Sequence, residues 1–462
     1  MPHAFTRSLY FSPANNCFRN LGFYYTKTTH MRRPLPTVFC IACLLIFNSY
    51  GIAQDKPIAV KGATIYTVTG STIEKGILIV QNGKIIAVGD ASTSIPSDAQ
   101  VIDATGKVVM PGIVDTHSHI GGPAGGDNSN ALNPEVRVLD AVNPESNDFK
   151  KALSGGVTTV NIMPGSGHLM SGQTIYVKLR EANTIEGLLE VNEKGIYGGM
   201  KMANGTNSMR GTGGFPGTRS KSAAMDRELF LKAVEYKKKV DSAKGVASKM
   251  PERDLRMEAM MEVLEGKRVV HFHTHKMNDI LTVLRLQKEF GFRVVLHHVS
   301  EGWKVADEIA KAGVPCSIIN IDAPGGKLEA MQCSPKTGGI LEKAGVLVAI
   351  HTDDPITDSR FLIRSASLSV REGMSRQKAL EALTISGAKM LDLSSKVGSL
   401  EKGKDADFVI LSGDPFSVYT HVEQTWVEGK KRFDRAIPSD RLFAVGGYKV
   451  YTPEGEMDDD DK

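Results

Sequence analysis

Cysteine is scarce. Of five, Cys17, Cys40 and Cys43 precede residue 54, and only Cys316 and Cys333 follow. Two distant thiols make neither a disulfide framework nor a Cys-type zinc site, and both read as small buried apolar groups. Acid is missing from residues 1–53, which carry Arg7, Arg19, Lys27, Arg32 and Arg33. Without these five cations the net charge changes from +4 to −1. No basic surface therefore points to nucleic acid or to an anionic membrane as partner. Long hydrophobic runs are also lacking: Val38–Phe47 is about ten residues, too short to span a bilayer. No Gly-x-Gly-x-x-Gly follows a strand-like run, so a dinucleotide cofactor has no support.

What the first residues do contain resembles a targeting segment. Met31-Arg32-Arg33 is a basic start, Val38–Phe47 has the length of a signal core, and Gly51-Ile52-Ala53 places small residues before Gln54. We expect cleavage after Ala53 and export to the periplasm or beyond, with residues 1–30 an upstream extension. No Cys follows the cleavage point, so a lipid anchor is not expected and the mature chain should not be held at a membrane. The end, Asp458 to Lys462, is a like-charge run that reads as disordered over 451–462. It also matches a protease-cleavage sequence and receives no functional weight.

Two strand-rich segments flank a long middle. Ile58–Val60, Thr64–Val68, Gly76–Val80 and Lys84–Val88 are punctuated by Gly and by the hairpin pair Asn82-Gly83. The texture returns at Asp407–Leu411 and Val422–Val427. We expect residues 54–110 and 396–450 to form one small β-sandwich built from both ends.

Between them, apolar runs follow helical patterns that close on Gly, as in Leu153–Val160, Phe290–Val295, Ala312–Val314 and Ala344–Ile350. This is the expected joint between a helix and a buried strand. Repeated through residues 111–395, it predicts a parallel α/β architecture, with a length that suits a (β/α)8 TIM barrel. Ser222 should open an amphipathic helix with Leu229, Phe230, Ala233 and Val234 inward and Lys237–Lys239 solvated. Trp303 reads as core.

The chemistry gathers at proposed strand ends, where such barrels place their active sites. Val108–Met110 leads to His117-Ser118-His119, and two imidazoles two residues apart can grip one ion from one face. Val269-Val270 leads to His271, His273 and His275; Val294–Leu296 to His297-His298; Val346–Ile350 to His351-Thr352-Asp353-Asp354. Alternation alone leaves His271, His273 and His275 on one side and does not choose between His297 and His298. Two Gly-rich loops, 121–134 and 204–222, follow strand ends. Loops above a barrel mouth commonly hold substrate, and Arg suits a carboxylate, which makes Arg210 and Arg219 candidates. His168 and His275 are further candidates for touching substrate.

Val109–His119 resembles the first-strand signature of the amidohydrolase superfamily, in its imidazolonepropionase-like and prolidase-like branch. Ala152–Val160, Met163–Gly167 with Gly172-Gln173, His298–Glu308, His351–Pro355 and Gly398–Ile410 extend the resemblance from about residue 57 to 433. It implies His117 and His119 as first-strand metal ligands, His273 as the fifth-strand and His298 as the sixth-strand ligand. It implies Asp353 as the eighth-strand ligand and proton shuttle. Lys201 is offered for the fourth-strand position of two-metal members, but its register is one residue off that motif, so one ion is favoured and two remain open. His271, His297 and His351 read as supporting or packing residues.

Neutral imidazoles with a carboxylate suit zinc or a similar divalent ion. Such an ion makes hydroxide available near neutral pH. Asp353 would move the proton, and the ion or a protonated His298 would stabilise the oxyanion. The expected activity is hydrolysis of a C–N bond in a small amide, cyclic amide or dipeptide. A deaminase using the same site, and an exported barrel that binds without turnover, are the alternatives. A homo-oligomer is a family expectation only.

Overall fold

The computed structural model describes residues 55–123, 125–321 and 327–446. The proposed signal segment, the upstream extension and the acidic end lie outside them. Five strands open the described chain: β1 (Ile58–Ile65), β2 (Ile73–Gln81), β3 (Lys84–Gly89), β4 (Gln100–Asp103) and β5 (Val108–Pro111). Asn82 and Gly83 join β2 to β3 with φ of 50° and 74°, the sign a two-residue type I′ hairpin requires. The separate runs expected at 58–60 and 64–68 belong largely to one strand, β1, whose two ends pair in parallel with β4 and β5. Gly62 sits between them at φ +82°, where a Cβ would lie 2.5 Å from Thr105 Oγ1.

Nine strands follow: β6 (Ile113–Ser118), β7 (Val157–Ile162), β8 (Met170–Gln173), β9 (Ile175–Lys178), β10 (Met200–Ala203), β11 (Val270–Thr274), β12 (Val294–His298), β13 (Cys316–Ile318) and β14 (Val348–Ile350). Three close the described chain: β15 (Phe408–Leu411), β16 (Val422–Val427) and β17 (Lys430–Asp434). The strands from the two ends form a single mixed sheet in the order β17-β16-β15-β5-β1-β2-β3, with β4 beside β1. Its core includes Val60, Leu78, Ile85, Phe408 and Trp426. The expectation of two facing sheets is thus met by one hydrogen-bonded sheet.

The middle strands carry the parallel pattern. β10, β11, β12, β13 and β14 pair in parallel in sequence order, and so do β6 and β7. The Gly joints appear where expected. Gly291, Gly313 and Gly345 take φ of 74°, 65° and 83° just past helices, a conformation that costs other residues a Cβ clash.

One position departs from an all-parallel (β/α)8 ring. β9 runs antiparallel to β7, and β8 antiparallel to β10, with only Thr174 between β8 and β9. Only residues 163–169 separate β7 from β8, too few for the dozen or so that a parallel crossover needs. The middle strands therefore form two sheets, β14-β13-β12-β11-β10-β8 and β6-β7-β9, rather than one closed ladder. Beyond the strand ends the gap between β14 and β6 is bridged: Asp353 N–H donates to His117 O at 2.9 Å, and His119 N–H to Asp354 O at 3.1 Å.

Two local expectations change. The helix expected from Ser222 starts at Arg219 and runs to Ala243, because Thr218 Oγ1 accepts from Lys221 N–H and caps it. Trp303 is not core: it lies 38% exposed on the short turn Gly302–Lys304.

Candidate active site

The C-terminal ends of β6, β11, β12 and β14 bring eight imidazoles and one carboxylate together. His117 ends β6 fully buried, and His119 follows it two residues on. Along β11, His271 and His273 turn inward while Phe272 joins the hydrophobic core. His351 and Asp353 follow β14. Asp353 Oδ1 lies 3.1 Å from His117 Nε2 and 3.0 Å from His119 Nε2, and its Oδ2 lies 3.9 Å from His298 Nδ1. The rings of His273 and His298 meet at 4.3 Å between centroids.

His119 Nδ1 sits 2.7 Å from Met163 O, a carbonyl that only an N–H can satisfy. Its Nε2 lies 3.0 Å from Asp353 Oδ1, so both ring nitrogens are engaged and the ring is fixed toward the carboxylate. Both nitrogens of His273 and Nε2 of His298 are buried without a hydrogen-bond partner among the described residues. Burial is the largest influence on His117, His273 and His298 and holds all three well below the ordinary imidazole range, hence neutral. Burial also pushes Asp353 upward, but His298, His119 and Lys201 outweigh it and keep the carboxyl well below its usual range. Neutral imidazoles and one anion with converging lone pairs are a donor set for a divalent cation. The residues present therefore fit the ion that the family pattern implies. His117, His298 and Asp353 each place a ligand atom within 4.8 Å of the others.

Lys201 belongs to this site. It alternates with Met200 and Met202, which join the hydrophobic core, and lies beside His271 in the parallel β10–β11 register. Its Nζ lies 2.9 Å from His117 Nε2 and 3.0 Å from Met163 Sδ. Burial lowers its pKa to about 7, against the pull of Asp353. A comparison of motifs alone suggests a one-residue slip, whereas in the structure Lys201 reaches His117.

The substrate-side candidates divide. His168 is buried between loops, with its ring 5.3 Å from Phe215 and neither nitrogen hydrogen-bonded among the described residues. Arg210 stacks on Phe215 at 4.1 Å and donates to Asn128 Oδ1 at 3.0 Å. His275 holds Ser300 Oγ at 2.8 Å through Nδ1 and leaves Nε2 open beside His273. Arg219 does not offer a free cation. Its Nε donates to Asp279 Oδ2 at 2.9 Å and its Nη2 to Glu329 Oε1 at 2.6 Å. It fastens its helix to two buried acids.

Three supporting groups carried no local signal in the sequence. Asp115 accepts from His117 N–H and Thr352 N–H at 3.2 Å each, and also from Thr352 Oγ1, tying β6 to the loop after β14. Burial raises its carboxyl to about 7. Lys151 Nζ donates to Asp354 Oδ1 at 3.0 Å beneath Asp353. Lys327 Nζ donates to Asn207 Oδ1, whose amide donates to Ser166 Oγ, both at 2.6 Å.

The model of the amidohydrolase family matches residues 108–435. The chain belongs to this family. It is similar to amidohydrolase tasK of Hapsidospora irregularis, 27% identical across 83% of this chain and 44% of that protein. The chain thus spans less than half the length of that relative. It is 24% identical to the imidazolonepropionase of Alkaliphilus metalliredigens, across 79% of this chain and 91% of the relative. Among solved structures, an amidohydrolase from Thermotoga maritima aligns with a TM-score of 0.77 at 35% identity, covering 82% of this chain and all of that one. A prolidase complexed with N-methylphosphonate-L-proline shares the fold, with a TM-score of 0.52 at 18% identity over 81% of this chain and 99% of its own. This amidohydrolase is of the imidazolonepropionase-like branch, a hydrolase of carbon–nitrogen bonds whose chemistry depends on metal.

Proposed function

We propose that this amidohydrolase cleaves the C–N bond of a small amide, a dipeptide or a cyclic amide, at an ion held by His117, His119, His273, His298 and Asp353. The observation that carries the reading is the convergence of His117 Nε2 and His119 Nε2 on Asp353 Oδ1, at 3.1 and 3.0 Å, with His298 Nδ1 3.9 Å from Oδ2. A zinc-like ion supplies Lewis acidity there and lowers the pKa of water to about 7. Asp353 accepts the proton of the attacking water through one carboxylate oxygen and returns it to the leaving nitrogen. His168 and Arg210, beside Phe215, offer a polar and cationic edge for the substrate. The relatives named imidazolonepropionase and prolidase support a small substrate of this class.

We favour one ion, centred where His117, His298 and Asp353 place ligand atoms within 4.8 Å of one another. Lys201, with Nζ 2.9 Å from His117 Nε2, favours a second reading in which it helps to hold two. The two middle sheets, joined through Met170–Lys178, support the family's barrel, and the end-built sheet its smaller domain. Export follows from the basic start, apolar core and small-residue exit of Met31–Ala53. N-terminal sequencing of the cell-derived protein should begin at Gln54.

The test is metal content per chain on protein produced from Gln54 onward, beside Asp353→Asn, with amine or acid release from a panel of dipeptides and cyclic amides. One or two ions, turnover of a panel member, and loss of that turnover in the variant are expected. No ion after metal is supplied would sink the mechanism.

A further inference from the structure

Behind the proposed ligands, four buried side chains form an unbroken hydrogen-bonded line. His117 Nδ1 lies 3.2 Å from His297 Nδ1, His297 Nε2 lies 2.9 Å from His271 Nδ1, and His271 Nε2 lies 3.3 Å from the Tyr176 hydroxyl. All four residues have no exposed surface. A Cβ on Gly199 would sit 2.2 Å from His271 Cδ2, so the backbone of β10's approach leaves room for that ring.

A neutral imidazole has one N–H and one lone pair, so the bond made at one nitrogen fixes the role of the other. Each junction in the line accommodates one proton. If His117 Nε2 offers its lone pair to a cation, its Nδ1 carries hydrogen and donates to His297 Nδ1. His297 must then donate from Nε2 to His271 Nδ1, and His271 from Nε2 to the Tyr176 oxygen. The opposite polarity places a hydrogen on His117 Nε2, between the Lys201 amine at 2.9 Å and Asp353 Oδ1 at 3.1 Å, which would leave no lone pair there for a cation.

We propose that His297, His271 and Tyr176 are a positioning relay that holds His117 in its metal-ligating tautomer. Residues one contact behind a metal ligand fix its ring and raise its basicity, and their loss costs about 10–100-fold in metal affinity. The relay extends that support through three side chains to a phenol. It rests on the reading of His117 as a ligand.

The line also contains a competing arrangement. Nitrogens of His117, His297 and His351 lie within 4.8 Å of one another and could themselves hold an ion. His351 is already engaged, with Nδ1 2.8 Å from Ser317 Oγ and Nε2 3.2 Å from His298 Nδ1.

Zinc affinity by chelator competition should be measured for the wild-type chain, His297→Leu, His297→Glu and Tyr176→Phe, with thermal unfolding of each. Glutamate keeps an acceptor for His117 Nδ1–H, whereas leucine removes it. We expect a loss of about 10–100-fold for leucine, substantial rescue by glutamate and a smaller loss for phenylalanine. Long-range 15N correlation spectra of the zinc-loaded wild-type chain should show hydrogen on Nδ1 of His117 and on Nε2 of His297 and His271. That measurement stands even if a variant fails to fold. Hydrogen on Nδ1 of His271, or wild-type affinity in His297→Leu, overturns the relay while leaving the hydrolase reading intact. Equal, severe losses for leucine and glutamate overturn it in favour of His297 as a direct ligand. A wild-type chain that binds no zinc removes the parent reading and the relay with it.

Discussion

His298 and Asp353 face one another with Nδ1 and Oδ2 3.9 Å apart, and both stand on left-handed backbone, with φ of 70° and 53°. For residues other than Gly this conformation costs roughly 1–2 kcal/mol, with Asn and Asp the most tolerant. At His298 it follows directly on His297, and two adjacent residues that a regular strand would point apart both face the cluster.

Backbone and ligand roles at His298 are therefore separable. In chelator, His298→Asn should unfold with about 1 kcal/mol more stability than His298→Ala, because Asn accepts the left-handed position. Both should bind zinc far more weakly than the wild-type chain. Thermal unfolding and a zinc titration check the two halves, and equal stability of the variants would mean that the backbone relaxes freely there.

The two arginines should behave in opposite ways. Arg219→Gln leaves Asp279 and Glu329 buried without their cation, a change that should cost about 1–3 kcal/mol, less than for a fully buried pair because the Arg219 side chain is 36% exposed. Arg210→Gln removes a group on the surface of the loops and should change stability by less than about 1 kcal/mol while raising KM for an anionic substrate. Denaturant midpoints and steady-state kinetics distinguish the two outcomes.

Lys151 and Asp354 form a buried pair beside Asp353. Lys151→Met should destabilise the fold by about 3–5 kcal/mol by stranding Asp354, and Lys151→Met with Asp354→Asn should recover part of that loss. The double-mutant cycle, read by unfolding, gives the coupling.

Asp226 supplies the pH dependence. It is buried on the helix Arg219–Ala243 with Oδ1 unpartnered, and burial raises its carboxyl well above the usual range against a small opposing pull from Arg227. In the folded chain it keeps its proton at pH values where the unfolded chain has lost it. The unfolded state thus binds fewer protons, and stability falls as pH rises from about 4 toward the folded pKa. Asp226→Asn should remove this decline. Its stabilisation relative to wild type should be larger at pH 8 than at pH 5, growing by up to about 1.4 kcal/mol per pH unit within that window.

Zinc should raise the melting temperature. At a hundred times its dissociation constant, a ligand bound only by the folded state adds about 2.7 kcal/mol. Asp353→Asn should shrink that increment, and differential scanning with and without chelator measures it.

Much of this site is legible in the sequence because residues at i and i+2 on a strand share a face, as His271 and His273 do on β11. The choice between His297 and His298 is not legible, since a left-handed residue breaks the alternation on which such reading depends. The inward turn of Lys201 follows the plain alternation of β10, with Met200 and Met202 on the core side, and only the comparison of motifs placed it one residue off. Arg219 looked available because its partners, Asp279 and Glu329, lie 60 and 110 residues away. The parallel α/β pattern was legible in its Gly joints, whereas the antiparallel Met170–Lys178 segment follows from a loop too short to cross over.

The sheet that joins the two ends has a temporal side. β5 pairs with β15 so that Val108 lies opposite Leu411, roughly three hundred residues later. The opening hairpin is made early on the ribosome but cannot gain its neighbour until nearly the whole chain has emerged, since long-range pairing pays its loop-closure entropy first. Until then the edge of β5 is an unpaired template, the kind of surface that chaperones cover. A chain cut before Phe408 would keep every proposed metal ligand and still leave that edge bare.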